Sequence, residues 1–350
     1  MIENKIFKFA ASITKYFILI FFSFSAYSSN LEKKYERSEK GILALMYHRF
    51  DENKYPSTNI RMDIFKKQIE IIKNNNLQFI NPRDFKDVFG TPKLEKKILI
   101  TIDDGFLSFY ENAWPFLKEE KIPFILFVST QFVGKSGYMS WDQIKEVEKE
   151  EFAFIGNHSN SHEYLVEYKF NDFIEDIKLA INSFEKNLGY NPIFFSYPFG
   201  EYSLEQKKYI SENFDFAFGQ HSGVIDLNKD PFELPRFPIN ENYGNLERFE
   251  FTTNLLPLQF FSIEPEDKLI LKENDPPKVS INFFEEQKNL NLINCFSNDG
   301  GNWNKTDLQL IDNKLNLNFK DKFNFRRGRV NCSLQDSEGW RWLGLQFSIN

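Results

Sequence analysis

Cysteine is scarce in this chain: there are two in 350 residues, Cys295 and Cys332, both near the C-terminal end. One pair cannot supply the four ligands of a closed structural zinc site, so a thiolate metal centre is excluded as an organising feature. Histidine is almost as rare, with four copies at His48, His158, His162 and His221. Excess positive charge is absent: 43 Lys and Arg face 50 Asp and Glu, for a net charge of -7. That balance leaves no basic footprint for nucleic acid. No apolar run approaches the roughly 20 residues of a membrane-spanning helix. No internal repeat is visible, and Gly134-Lys135-Ser136 lacks the earlier glycine of a phosphate loop, Ser129 standing in its place. What the chain has in abundance is phenylalanine, 41 copies, enough to bury a large core. At about 150 residues per domain, the length suggests two domains.

The N-terminus reads as an export signal over residues 1–28. Lys5, Lys8 and Lys15 precede the apolar run Tyr16–Phe24, and small Ala26 and Ser28 follow it where a signal peptidase would cut. The alternative is an uncleaved N-terminal anchor. Either way the remainder is exported, to the periplasm, the cell surface or the medium. Cleavage after Ser28 would remove three lysines and Glu3, leaving a net charge of -9. In an oxidising compartment the two cysteines are expected to pair as a Cys295–Cys332 disulfide.

From residue 41 to about 250, short apolar runs alternate with amphipathic stretches. Strands are expected at Ile42–Tyr47, Ile98–Ile102, Phe124–Val128, Phe152–Ile155, Ile193–Tyr197 and Phe216–Phe218. Helices are expected at Met62–Asn74, Phe109–Glu120, Trp141–Lys149 and Asn171–Leu188, with a capping box at Ser140 and Gln143. Such alternation predicts an α/β fold with a parallel sheet, and this many units suggest a barrel, whose reactive side chains follow strand C-termini. Residues 264–278, proline-rich and charged, read as a linker. Beyond it, from 279 to 350, strict alternation as in Leu315–Phe319 predicts a small β-sandwich-like module. Trp340, Trp342, Arg326, Arg327 and Arg329 there would either bind glycan or, as the favoured reading, fill the small core and face solvent.

Three groups stand at expected strand ends: His48 after Tyr47, Asp103-Asp104-Gly105 after Ile102, and His158-Ser159-Asn160-Ser161-His162 after Ile155. Two imidazoles and one carboxylate give a divalent metal three ligands and leave it open to water and substrate. The four-residue spacing is expected to put both rings on one side of a helical turn. Of two adjacent aspartates, one can bind metal while the other takes a proton from the attacking water, and a histidine opposite can protonate the leaving group. Those are the parts of a metal-assisted hydrolase. The same ligand set also suits oxygen-using iron enzymes, but a spare base favours hydrolysis. His221 reads as a plain loop residue.

Thr101-Ile102-Asp103-Asp104-Gly105, His158-Ser159-Asn160-Ser161-His162 and Tyr197-Pro198-Phe199-Gly200 resemble the three leading motifs of the polysaccharide deacetylases, the NodB-like carbohydrate esterases of family four. Met46-Tyr47-His48-Arg49 is similar to the permuted-motif subgroup typified by poly-N-acetylglucosamine deacetylases. The resemblance implies a distorted (β/α) barrel of the NodB type and a metal, usually Zn2+, on Asp104, His158 and His162. It further implies Asp103 as general base, His48 as general acid, and Tyr197 and Phe199 at the substrate or oxyanion. The arginine that usually precedes the third motif is missing beside Ser196, and Arg236 in Leu234-Pro235-Arg236-Phe237-Pro238 is its candidate substitute. The expected activity is N-deacetylation of an exported, N-acetylated polysaccharide of glucosamine type, releasing acetate. An O-acetyl esterase acting on glycan and an inactive sugar-binding protein are the alternatives. Tyr47, Trp141, Phe199 and Tyr202 are candidates to stack on sugar rings.

Overall fold

The computed structural model describes residues 40–89 and 95–350. The export signal expected over residues 1–28 lies outside the described residues.

The apolar runs form one sheet of eight strands: β1 (Ile42–Tyr47), β2 (Gln78–Phe79), β3 (Lys97–Ile102), β4 (Phe124–Val128), β5 (Ala153–Asn157), β6 (Phe194–Ser196), β7 (Phe216–Phe218) and β8 (Phe237–Pro238). Their order is β8-β1-β3-β4-β5-β6-β7, with β2 on the first two residues of β3, and all pairings are parallel. Strands buried on both faces read as continuous apolar runs rather than alternating ones, and β1, Ile-Leu-Ala-Leu-Met-Tyr, is buried throughout. Helices cover the sheet: α1 (Met62–Asn74), α2 (Trp114–Glu120), α3 (Trp141–Glu148), α4 (Phe170–Leu188), α5 (Leu204–Asn213) and α6 (Leu246–Thr253). Helix α1 turns Phe65, Ile69 and Ile72 inward, and α3 begins with the expected Ser140–Gln143 capping box. A second box, Ser203 with Gln206, starts α5.

One segment draws the sheet closed. Leu234 bridges Phe218 in parallel, and the Gly219 N–H donates to its carbonyl at 2.9 Å. Three residues later Phe237 pairs with Leu45. Residues 234–238 thus join the last strand to the first, giving a distorted (β/α) barrel.

The C-terminal part contains ten strands: β9 (Leu256–Pro257), β10 (Ser262–Glu264), β11 (Leu269–Ile270), β12 (Val279–Asn282), β13 (Asn294–Ser297), β14 (Asn304–Lys305), β15 (Asp307–Ile311), β16 (Lys314–Asn318), β17 (Arg327–Gln335) and β18 (Trp340–Ile349). One sheet runs β9-β18-β17-β13-β14 with β11 also on β18; the other runs β10-β12-β16-β15. Between them Ile281, Leu315, Leu334 and Phe347 are buried around Cys295 and Cys332, which are bonded to each other across β13 and β17. Residues 264–278, expected as a linker, include β11: Leu269 and Ile270 pair with Ser348 and Ile349, so apolar residues build this stretch into the sheet. The module sits directly on the barrel. Gly344 approaches so closely that a Cβ there would lie 2.2 Å from the Ser222 carbonyl oxygen, and Trp342 Nε1 donates to Ser222 Oγ at 2.9 Å.

Candidate functional site

Asp103 and Asp104 follow β3 directly. The Asp103 N–H donates to the Tyr47 carbonyl at 2.9 Å, which ties this turn to the end of β1, where His48 begins. Asp104 and Gly105 both take left-handed backbone (φ 77° and 70°), a region that aspartate tolerates better than most residues. The turn separates the two carboxylates so that they face different partners.

His158 and His162 come from the loop after β5. The expected helical turn is not there: Ser159 and His162 have φ of 66° and 52°, which breaks any right-handed turn between them. Side chains hold the loop instead. Asn157 Oδ1 accepts from the Ser159 N–H at 2.9 Å, and buried Asp176 on α4 accepts from the N–H groups of Asn160 and Ser161 at 2.9 and 3.0 Å. Asp176 was missed in the sequence, where it looks like one more charge on an amphipathic helix.

Three residues converge. Ligand-type atoms of Asp104, His158 and His162 all lie within 4.8 Å of one another. His162 Nε2 is 3.0 Å and His158 Nε2 3.4 Å from Asp104 Oδ1. His158 Nδ1 lies 2.7 Å from the Ser196 carbonyl, which only a protonated Nδ1 can satisfy, so the Nε2 lone pair faces the cluster. Asp104 Oδ1 and His158 Nε2 are buried and make no hydrogen bond, a costly condition for polar atoms unless something else binds them. Two imidazoles and a carboxylate gathered at one point, with Asp104 Oδ1 and His158 Nε2 unpartnered, fit a divalent cation. Burial alone would raise the Asp104 pKa, but the neighbouring imidazoles, His162 foremost, hold it well below the usual carboxylate range. His162 is raised, its burial outweighed by Asp104.

Asp103 faces elsewhere, into the fully buried guanidinium of Arg236. Nη1 and Nη2 reach its two oxygens at 2.6 and 2.8 Å. The remaining donors are used as well: Nε to the Gly219 carbonyl at 2.9 Å, Nη1 to Thr101 Oγ1 at 3.1 Å and Nη2 to Ser196 Oγ at 2.7 Å. All five N–H donors of the fork therefore have partners. Burial pushes Asp103 up, but Arg236 and then His158 outweigh it, so its carboxyl stays below the usual range and ionised. Ser196, where an arginine was sought, accepts from Arg236 instead. The guanidinium arrives from the segment before β8.

His48 is lowered by burial; the charges of Asp104, Asp103, Arg236 and His158 all act on it, which places its ring in the same field. Phe199 also lies at the site, with its ring 4.8 Å from that of His162 and left-handed backbone (φ 59°). Tyr197 does not: its ring is buried against Tyr202, and its hydroxyl donates to the Phe232 carbonyl at 3.1 Å. Among the candidate sugar-stacking rings, Tyr47 is buried with its hydroxyl on Gln68, Tyr202 is core, and Trp141 packs edge-on against Phe184. Only Phe199 of the four stands beside the metal-type cluster.

Known proteins are similar to this chain in sequence and in fold. Residues 90–215 match the family described as polysaccharide deacetylase. The poly-beta-1,6-N-acetyl-D-glucosamine N-deacetylase of Staphylococcus aureus is 24% identical over 239 residues, covering 60% of this chain and 82% of that protein. In three dimensions the Streptococcus pyogenes deacetylase PplD, solved with acetate, superposes with a TM-score of 0.56 at 21% identity, covering 61% of this chain and 99% of its own. IcaB from Ammonifex degensii gives a TM-score of 0.55 at 25% identity, covering 61% and 97%.

Proposed function

We propose, from the premise that this chain carries a polysaccharide deacetylase domain, that it is an exported hydrolase removing N-acetyl groups from a β-1,6-type N-acetylglucosamine polymer. The observation that carries the reading is the pairing of two carboxylates with separate tasks. Asp104 joins two imidazoles whose Nε2 atoms face it, while neighbouring Asp103 is kept ionised by a buried arginine. Among the described residues no helix is long and apolar enough to cross a membrane.

Asp104, His158 and His162 would hold a divalent cation, zinc by the donor set, which when bound supplies Lewis acidity to the acetyl carbonyl and the attacking water. Asp103 takes the proton from that water; Arg236 keeps its carboxylate charged and aimed, since its five bonds leave it no freedom. The acetyl carbon passes through a tetrahedral stage whose oxyanion a backbone N–H at Phe199 helps to stabilise. His48 gives a proton to the departing nitrogen. Burial makes His48 a weaker base and hence a stronger acid once protonated. The products are acetate and a free glucosamine amine.

The test is acetate release from N-acetylglucosamine oligomers, run beside an O-acetylated glycan. Release from the N-acetyl substrate, abolished by chelation and reduced roughly 10²- to 10⁴-fold by Asp103→Asn, is the expected result. Glycan binding without release, or release from the O-acetyl substrate alone, would refute it.

A further inference from the structure

The loop that carries both histidines and the neighbouring Phe199 loop do not stand alone: the C-terminal module holds both. Gln346 on β18 donates through Nε2 to the carbonyls of Phe199 and Gly200, at 2.9 and 3.1 Å, and its own Oε1 accepts from Arg329 Nε at 3.3 Å. Phe199 and Gly200 are consecutive left-handed residues (φ 59° and 69°). A phenylalanine pays for that conformation unless its surroundings over-determine it. Here the surroundings come from a different module.

Arg326 acts beside it. Its Nε donates to both oxygens of buried Glu201 at 3.1 and 3.0 Å, Nη2 to Oε2 at 2.8 Å, and Nη1 to Glu167. Glu201 ends the Phe199 loop, and Glu167 lies five residues beyond His162, so one guanidinium links the two loops. Its plane also lies 3.7 Å over the Tyr164 ring. Tyr164 stacks on Phe199 at 4.3 Å, and Phe199 meets His162 edge-on at 4.8 Å. A continuous series of contacts therefore runs from the module, through two aromatic rings, to an imidazole of the cluster.

We propose that the C-terminal module is a working part of the active site, with Gln346 and Arg326 as positioning residues that fix the Phe199 loop against His162. The claim rests on the deacetylase reading for its catalytic consequence but not for its structural one. Neither residue reaches the reacting atoms. Each acts on the backbone or ring that does, and loss of about 1 Å of alignment is enough to slow an enzyme on the order of 10²-fold.

The experiment uses the full chain with zinc added. Gln346→Met keeps the volume and removes the amide; Gln346→Glu keeps the acceptor for Arg329 and removes both donors; Glu338→Gln, on the exposed turn before β18, is the control. Both Gln346 variants should lose at least tenfold in kcat for acetate release, with KM within twofold and zinc content unchanged, and the control should match the parent. Hydrogen exchange supplies a readout independent of chemistry. The Gly200 and Glu201 amides, which donate to the Tyr197 and Pro198 carbonyls at 2.8 and 3.2 Å, should exchange at least tenfold faster in both variants. Arg326→Met should speed the same amides and lower kcat in the same way. Unchanged kcat and unchanged exchange in the folded variants would overturn the proposal. If the parent protein itself releases no acetate, the functional reading fails, and the exchange rates alone decide whether the module clamps the loop.

Discussion

Arg236→Met offers a severe test of the site, because the arginine is fully buried and every donor it has is used. The substitution keeps an apolar stem and removes the charge. Asp103, also fully buried, is left with Ser196 Oγ at 3.5 Å and the His158 ring, whose Nε2 lies 3.8 Å away. Removing one partner of a buried pair leaves the other charge uncompensated and typically costs about 3–5 kcal/mol. At roughly 2–4 °C per kcal/mol for a domain of this size, the melting temperature should fall by about 10 °C. Arg236→Met/Asp103→Asn removes both charges, so it should recover most of that loss. Urea unfolding of the four proteins in a complete cycle measures the coupling. Chelator must be present throughout, since bound cation would add its own stabilisation. A loss below about 1 kcal/mol in the single variant, or a double variant no more stable than it, would show that Asp103 does not depend on the guanidinium. Activity of Arg236→Met should fall roughly 10²-fold through misalignment of Asp103, and added salt should not restore it.

Other consequences are independent of that pair. Chelation should lower the melting temperature of the parent protein but not of His158→Ala, because only the intact cluster links cation binding to folding, by about 4 kcal/mol at a thousandfold excess over Kd. His221 is half-buried and its pKa is lowered to about 4, desolvation outweighing the charge of Glu233. Below an unfolded value near 6.5 the unfolded chain takes the proton and the folded one does not. Stability is therefore complete above that pH and falls, by roughly 3 kcal/mol in all, as the pH drops toward 4. His221→Gln should flatten the stability profile in that window. Replacing Cys295 and Cys332 together by alanine opens a loop with a sequence separation of 37. In the chain-entropy model this removes about 4 kcal/mol from the module, measurable by urea unfolding with and without reductant.

The parts legible in the sequence were those with local causes. Strands β1, β4 and β7 occupy the apolar runs that announced them, and α1 and the capping box of α3 follow directly from periodicity and from Ser140 with Gln143. Asp104, His158 and His162 could be singled out because ligand-type residues stand at strand ends. The loop between the histidines was misread because His-x-x-x-His spacing fits a helical turn, and nothing local reveals that Ser159 and His162 are left-handed. Tyr197 was misplaced for a similar reason: motif proximity says which residue is near, not which way its ring points. In the sequence the C-terminal basic residues read as glycan ligands or as solvated charge. Arg326 instead pairs with Glu167 and Glu201, which lie more than a hundred residues away in the chain. Pairings of that reach leave no trace in spacing.

The exchange of Ser196 and Arg236 shows how such a long-range relation can still be constrained. A buried carboxylate at the end of β3 needs a cation from within a few ångströms, and the neighbouring strand ends offer few backbone positions from which one can reach it. The segment that draws the barrel closed is one of them: Leu234 bridges Phe218, Phe237 pairs with Leu45, and Arg236 between them is directed inward along β3. Ser196 then has to be small and able to accept a hydrogen bond, which it does from Nη2 at 2.7 Å. A long, rigid fork is required at position 236, since lysine would offer one point charge where two carboxylate oxygens, two hydroxyls and a carbonyl must all be met. Arg236→Lys should therefore behave much more like Arg236→Met than like the parent, in both stability and acetate release. A lysine variant with near-parental kcat would show that charge alone, and not the geometry imposed by barrel closure, keeps Asp103 in service.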